Sequence, residues 1–390
     1  MKITFISNFH NHHQMPLCDA FLKIPDVDFT FIATEKVPED RVAFGYKHDF
    51  SHLSYYMEAI EESDIIAAEK LCFESDVVII GSAPASFVKR RLRARKLTFN
   101  YNERWFKEGF VNHPGDIYRA LRDFSLRGNK NYYQLCASAY TAGDSKKVFA
   151  FPNRKLRWGY FPEVKQYDSA QKIINGKTPA SIVWVARLID WKHPEAAIEL
   201  AQRLKQDGYK FNLNIIGNGP LEEDLRKKTD DADLNDCVHF LGAMSPEEVR
   251  GYMESSQVFL FTSDFNEGWG AVLNEAMNSA CAVVASHAIG SVPYLIKHGE
   301  NGFIYSSGYD DELYDYVKRL LTDKTLCEHF GREAYLTMTE VWNGDVAANR
   351  LYEFCRAKLS GKELPEYDYG PVSKDLGKVK NSGKFKRKKY

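Results

Sequence analysis

From residue 182 to residue 305, short apolar runs recur and stretches with helical periodicity separate them. The runs are Ile182-Val183-Trp184-Val185-Ala186, Leu213-Asn214-Ile215-Ile216, Val238-His239-Phe240-Leu241, Val258-Phe259-Leu260-Phe261-Thr262, Ala282-Val283-Val284-Ala285 and Phe303-Ile304-Tyr305. Continuous apolar runs of this length suit strands buried on both faces of a parallel sheet. Between them, Pro194 opens a helix with Ile198, Ala201 and Leu204 on one face, and Gly208 closes it. Ser245 is a good N-cap ahead of Pro246, with Glu248 three residues on. Leu313, Tyr316, Val317, Leu320 and Leu321 share one face of another helix. A chain that alternates strand and helix in this way is confined to a doubly wound α/β lobe.

The first half repeats the theme less cleanly, with strand candidates at Ile3–Ser7, Phe29–Ala33, Val77–Ile80, Leu97–Phe99 and Gln134–Ala137. Hydrophilic residues over 162–180 mark the boundary between two lobes. The expected organisation is a first Rossmann-like domain over 1–165 and a second over 166–345. A helix over 346–360 packs back on the first domain, and a basic flexible tail follows over 361–390. A length of 390 residues buries substantial cores without staples. Seven cysteines, an odd number with no CxxC pair, argue against a disulfide framework or zinc site and for a reducing cytoplasm. No apolar run is long enough to span a membrane, and the first residues read as a buried strand and not a signal peptide.

Lys+Arg is 52 against Asp+Glu 53, which argues against a duplex nucleic-acid partner. The positive charge is nevertheless concentrated in KRRLRARK at 89–96 and in the segment 374–390. Trp105, Phe106 and Phe110 follow the first cluster. Together these features suit peripheral contact with an anionic membrane surface on the cytoplasmic side, and the competing reading is a solvated helix face with a disordered tail.

The densest chemistry lies in Phe265-Asn266-Glu267-Gly268-Trp269-Gly270-Ala271-Val272-Leu273-Asn274-Glu275-Ala276. This stretch follows a buried strand and opens a helix, with Gly268 and Gly270 at the opening. Free backbone N–H groups and the positive end of the helix dipole suit a phosphate there. Glu267 lies at the carboxyl end of the strand, where ligands bind in open α/β sheets. Glu275 sits about one and a half turns into the helix among apolar neighbours, where a carboxylate needs partners such as sugar hydroxyls. The plainer alternative is that both are helix-start acids favoured by the dipole.

With EAMNSACAVVASHAIGSVPYLIKHGENGFIY following, this segment resembles the donor site of the family 4 retaining glycosyltransferases of GT-B fold. The resemblance continues upstream in WVARLIDWKHPEAAIELAQRL, LNIIGNGPLEEDL and VHFLGAMSPEEV. It covers roughly 180–320 closely and is topological over 1–165. It implies two Rossmann-like doubly wound domains facing a central cleft, and a nucleoside-diphosphate sugar, UDP-sugar by frequency, as co-substrate. It further implies Arg187 and Lys192 on the diphosphate, Glu275 on the ribose and Glu267 on the transferred sugar. Trp269, Gly270 and Ala271 would offer backbone N–H groups beside Gly268, and Gly217 with Leu241–Gly242 would complete the nucleotide pocket. The implied reaction is transfer with retention to a glycan or lipid-linked acceptor of cell-surface polysaccharide synthesis, with no metal required.

The chain departs from that pattern in the first lobe. No His stands in Leu97-Thr98-Phe99-Asn100-Tyr101-Asn102-Glu103-Arg104, where many relatives carry one at the end of a strand; Asn102 and Glu103 are the sugar-facing candidates, and His113 reads as a loop residue before Pro114. The loop Asn8-Phe9-His10-Asn11-His12-His13-Gln14 lacks the glycine pair of relatives, and His12 and His13 are acceptor candidates. Three histidines in four residues also suggest a metal, but no carboxylate or Cys completes a set. Asp231-Ala232-Asp233 reads as a hydrophilic loop. A non-hydrolysing nucleotide-sugar epimerase and a non-catalytic, nucleotide-sugar-binding subunit are the alternatives.

Overall fold

The computed structural model describes residues 1–39, 48–107, 109, 114–121, 124, 129–377 and 379, with the backbone alone at 116 and 119. His113, Phe110 and most of the basic C-terminal segment lie outside the described residues. The chain divides into two compact units, one formed by Met1–Glu163 with Trp342–Lys378 and the other by Val164–Val341.

In the first unit the strands are β1 (Lys2–Ser7), β2 (Asp28–Ala33), β3 (Tyr56–Glu58), β4 (Val77–Ile80), β5 (Thr98–Asn102), β6 (Tyr132–Cys136) and β7 (Lys155–Arg157). They form one parallel sheet in the order β3-β2-β1-β4-β5-β6-β7. In the second unit they are β8 (Thr178–Val185), β9 (Asn212–Ile216), β10 (Val238–Gly242), β11 (Ser256–Phe261), β12 (Ala282–Ser286) and β13 (Phe303–Tyr305). These form a second parallel sheet, β10-β9-β8-β11-β12-β13. Both orders reverse direction once, between β1 and β4 and between β8 and β11. Those reversals are the switch points at which doubly wound sheets bind ligands. β3 and β7 escape the reading of apolar runs because each has only three residues at a sheet edge.

The second core is built from the apolar runs themselves. Ile182, Trp184, Ile215, Val258, Leu260 and Val284 are buried together with Ile198, Ala201, Leu204, Leu313, Val317 and Leu320 of the covering helices. Burial of each large side chain contributes roughly 1.5–3 kcal/mol. The helix Pro246–Ser255 carries the expected capping box, with Ser245 and Glu248 bonding each other's backbone N–H.

In the first unit, the helix Gly344–Leu359 lies on the helix Met15–Leu22. A Cβ on Gly344 would stand 2.7 Å from the Pro16 carbonyl oxygen, so only glycine permits this approach. The stretch after this helix departs from the expected flexible tail. Val372 N–H donates to Arg157 O, Arg157 N–H to Ser373 O and Asp375 N–H to Lys155 O, so residues 372–375 line the edge strand β7 and satisfy its backbone.

The basic cluster at 89–96 is also reassigned in part. It occupies the end of the helix Ser86–Arg93 and the turn into β5, where cations complement the carbonyl end of the helix dipole. Arg91 is fully buried, and its guanidinium donates to Thr98 Oγ1 and to the carbonyls of Cys72, Ser75, Asp76 and Leu97. Lys96 donates to Phe73 O, and both Lys96 and Arg90 stand over the Phe73 ring. Phe106 is buried with Tyr132, Val148 and Phe151, and Trp105 stacks on Phe124. The two aromatics serve this unit's packing and are not a membrane-facing pair. No helix among the described residues is long and apolar enough to cross a membrane.

Candidate functional site

At the switch point of the second unit, two loops leave the carboxyl ends of β8 and β11 side by side. The first continues through Arg187 into a 3₁₀ turn, Asp190–Lys192. The second runs from Thr262 to Ala271 and opens the helix Val272–Asn278. Hydrogen bonds tie them together. Trp184 Nε1–H donates to Thr262 Oγ1 at 2.8 Å, and the Thr262 hydroxyl donates to Lys192 O at 2.6 Å. Asp264 N–H donates to Trp191 O at 3.0 Å. The buried indole of Trp184 thus anchors the turn that carries Lys192.

Lys192 and Glu267 meet across the two loops. Lys192 Nζ forms an ion pair with Glu267 Oε2, and the two side chains are 12% and 11% exposed. Ser263 Oγ also donates to Glu267 Oε2, at 3.2 Å. Lys192 Nζ lies 4.2 Å from the centroid of the Trp191 ring, a cation–π contact that holds the ammonium against the turn. The reading by resemblance separates the two residues, one on phosphate and one on sugar. Here each is the other's counter-ion.

Arg187 is exposed and has no ion pair or side-chain hydrogen bond among the described residues. Glu275 is half-buried at the fourth position of its helix, nearer the start than the one and a half turns expected. Burial pushes its carboxyl pKa up, with Arg250 opposing. Arg250 donates to the Glu275 backbone carbonyl at 3.2 Å and to Asn278 Oδ1 at 2.9 Å. No side chain among the described residues bonds the Glu275 carboxylate.

Glycines set the spacing of the other loops. Gly270 has φ +83°, and a Cβ there would stand 2.5 Å from the Phe261 ring. Gly217 has φ +136°, and a Cβ would stand 1.9 Å from the Ala186 carbonyl oxygen. Gly217 N–H donates to Gly242 O, Leu188 N–H to Asn218 O and Leu221 N–H to Leu188 O. The structure therefore gathers Gly217, Leu241–Gly242 and the Arg187 segment along one edge of the sheet. Trp269 is buried and its Nε1–H donates to Asn274 Oδ1, so its side chain supports the loop. Gly268 precedes it in the same loop, and the Gly270 and Ala271 amides have no hydrogen-bond partner among the described residues.

Sequence reasoning passed over His193, Asp264, Thr262 and Ser263. His193 follows Lys192 in a left-handed conformation, φ +50°, with Nδ1 2.8 Å from Glu195 Oε1 and Nε2 3.4 Å from Asp264 Oδ2. Burial works against its protonation, but the Asp264 and Glu195 carboxylates outweigh it and hold the pKa at about 9. The Lys-His-Pro-Glu string is the only mark of this in the sequence, and Asp264 has none.

In the first unit the acceptor candidates also converge on the carboxyl edge, after β1 and β5. His13 stacks on Tyr160, with centroids 6.2 Å apart, and the Tyr160 hydroxyl donates to Glu103 Oε1 at 2.7 Å. Lys107 pairs with Glu103 Oε2 at 3.2 Å. His12 lies against His13, centroids 3.9 Å apart. Asn102 is committed to the protein, since it accepts from Gln134 and donates to the Glu103 carbonyl. His10 is buried in a ring of Phe31, Phe50, Tyr55 and Tyr56. Among the described residues no group of three His, Cys, Asp or Glu is placed to hold a metal ion.

Residues 166–337 match the sequence model of the family described as glycosyl transferases group 1. The amylovoran biosynthesis glycosyltransferase AmsK of Erwinia amylovora is 30% identical over 262 residues, which is 63% of this chain and 61% of that protein. A GDP-mannose-dependent alpha-(1-6)-phosphatidylinositol monomannoside mannosyltransferase of Mycobacterium tuberculosis is 26% identical over 187 residues, 46% of this chain and 48% of that one. The chain thus spans less than two thirds of the length of these curated relatives. Among solved structures, Anabaena Alr3699/HepE in complex with UDP and glucose superposes with a TM-score of 0.64 at 15% identity, covering 93% of this chain and all of that one. The lipopolysaccharide outer core galactosyltransferase WaaB gives 0.61 at 17% identity over 87% of this chain and 97% of that one. These likenesses show the fold, the two Rossmann-like units of the GT-B class.

Proposed function

Because residues 166–337 match the model of the glycosyl transferases group 1 family, we propose that the chain transfers a sugar from a nucleoside-diphosphate sugar to a glycan or lipid-linked acceptor. UDP-sugar is the first donor to test, because Alr3699/HepE is crystallised with UDP and glucose; GDP-mannose is the second, because the mycobacterial relative is named for it. AmsK, named for amylovoran, supports a place in polysaccharide synthesis.

One observation carries the reading: an exposed Arg187 with no ion pair among the described residues and the Lys192–Glu267 ion pair stand at the switch point of the second sheet. A diphosphate entering there meets Arg187 with its bidentate fork and offers Lys192 a second anion. Lys192 then neutralises charge on the departing diphosphate, and Glu267 is released to accept from hydroxyls of the transferred sugar. Glu275, with no partner for its carboxylate among the described residues, accepts from the ribose. The Gly270 and Ala271 amides add donors toward the phosphates. Transfer proceeds with retention by front-face displacement, the leaving phosphate taking the acceptor's proton. His12, His13 and Glu103 receive the acceptor. The reaction needs no metal. Any membrane contact falls to the exposed cations Lys89, Arg90, Arg93 and Arg95 and to the C-terminal segment.

The test is release of UDP or GDP from a panel of nucleotide sugars with a glycan acceptor mixture. Release that disappears in Lys192→Ala and Glu275→Ala, with folding intact, supports the reading. Full activity in both overturns it, and donor binding without release in the native chain favours a non-catalytic subunit.

A further inference from the structure

His193 faces a carboxylate on each side at the edge of this site, and it sits in a backbone conformation that side chains rarely adopt. Its φ and ψ of 50° and 54° place it in the left-handed region, at a cost of about 1–2 kcal/mol for a residue with a Cβ. A residue in right-handed geometry there would continue the 3₁₀ turn. The left-handed step ends the turn, and the imidazole lies between two carboxylates, Glu195 at 2.8 Å and Asp264 at 3.4 Å. Glu195 opens the helix Glu195–Gln206 behind the turn. Asp264 belongs to the opposite loop, and its carbonyl accepts from Glu267 N–H at 3.1 Å.

We propose that His193, as an imidazolium, is a positioning residue that latches the Lys192 turn to the Glu267 loop and so sets the separation at which these two groups receive the donor. The inference rests on the donor-site reading above. The latch is electrostatic at both ends, because each ring nitrogen faces a carboxylate. The other bonds between the loops, Thr262 to Lys192 O and Asp264 N–H to Trp191 O, fix the backbones. Beside the Lys192–Glu267 pair itself, the His193 ring adds a side-chain contact from this turn to the segment that ends in Glu267. The titratable groups around it are Glu195 and Asp264; burial raises both, but His193 together with the Glu195 amide and Lys228 for the first, and with the Asn266 amide and side chain for the second, holds them below the usual carboxylate range, and Lys192 is adjacent in the chain.

The full chain is titrated with UDP and with GDP by calorimetry at pH 7.5 and at pH 10, alongside His193→Gly, His193→Asn and Asp264→Asn. Glycine and asparagine both accept the left-handed conformation, so the backbone is kept while the charge is removed. The expected result is binding weakened roughly tenfold at pH 7.5 in His193→Gly, a misplacement effect. The native chain loses affinity between pH 7.5 and pH 10 and the variants lose distinctly less. A second readout is independent of nucleotide. In the native chain the His193 ring gives imidazolium nitrogen shifts by NMR at pH 8, and in Asp264→Asn it gives neutral ones. Variants that bind like the native chain at both pH values, or that lower only the melting temperature while keeping the native pH profile, overturn the latch. A native chain that shows the imidazolium at pH 8 but binds neither nucleotide overturns the donor-site reading instead.

Discussion

The two units place charged and aromatic side chains at the same edge of similar sheets, but to different ends. In the second unit, Arg187 and the Glu275 carboxylate have no protein partner among the described residues, and Lys192 and Glu267 hold each other. Such groups can exchange partners when a ligand arrives. In the first unit, Asn102, Gln134 and Ser145 form a closed chain of hydrogen bonds, Glu103 is held by Tyr160 and Lys107, and Asp144 is held by two backbone amides, Arg104 and Lys147. A polar group already satisfied within the protein gains little from a ligand, since binding only exchanges one hydrogen bond for another. The contrast leaves the second unit with charged groups able to change partners and the first with polar groups already satisfied within the protein.

The largest effect that could break this contrast is in activity. Lys192→Ala should lower kcat/KM for any donor by roughly 10²–10³-fold, as removal of one charge-stabilising group does, while thermal melting stays close to native. Asn102→Ala should do the reverse and lower melting with donor affinity unchanged. Kinetics and calorimetry on the two variants decide, and donor affinity that falls in both erases the difference between the units.

Next in size is Arg91→Met. It leaves four buried carbonyls and Thr98 without their donor, at a cost of about 3 kcal/mol or more. Urea denaturation followed by hydrogen exchange should show the loss in the first unit, with nucleotide binding by the second unchanged. Arg91 also shows where a sequence misleads. In KRRLRARK it is one cation among six, and nothing in the string says that the helix end turns this one inward. The second unit was legible because its signals are local. Its runs of four or five apolar residues are its strands to within a few residues, Ser245 and Glu248 are its capping box, and Glu267 and Glu275 stand at the loop and helix expected. The first unit depends on contacts distant in sequence. β3 and β7 are three-residue edges stabilised by neighbours, Phe106 finds its core with Phe151, and residues 372–375 return to β7. His193 was illegible for the same reason, as its partner Asp264 lies on another loop.

Titration sharpens the comparison further, because His10 and His13 of the first unit and His193 of the second are shifted in opposite directions. Burial lowers the pKa of His10 to about 4, with the nearby Gln14 side chain partly opposing, and burial with the neighbouring His12 lowers His13 to about 3. An unfolded histidine takes up its proton near pH 6.5, so these sites stabilise the folded state fully above that pH and lose their contribution as pH falls toward 4. His10 alone is worth roughly 2–3 kcal/mol across that window. His193, raised to about 9, contributes fully below about 6.5 and loses its contribution as pH rises through 9. Hydrogen exchange between pH 4.5 and pH 9.5 should therefore show the first unit opening more readily at the acid end. The segment around 190–195 should open more readily at the alkaline end. Parallel behaviour of the two would contradict the assignment.

The smallest expected effect concerns helix entry, and it turns the comparison into a repair. In the second unit Ser169, Ser245 and Asp323 accept hydrogen bonds from the first turns of their helices. In the first unit Asn343 does the same for the helix Gly344–Leu359, whereas Gln14, Glu61, Ala85 and Tyr140 make no such bond, as Pro194, Leu221 and Tyr309 make none in the second. Glu61 already has the extended backbone of a cap, φ −79° and ψ 154°, and lacks only a short side chain that can reach the amide three residues on. A serine would supply that oxygen and leave the acidic first turn of Glu62 and Asp64 to favour the dipole. Glu61→Ser should therefore raise the stability of the first unit by up to about 1 kcal/mol, seen as a higher urea midpoint with an unchanged slope. A variant no more stable than the native chain would mean that the uncapped start of the helix Glu62–Glu74 does not limit the stability of this unit, and that its long-range contacts set it.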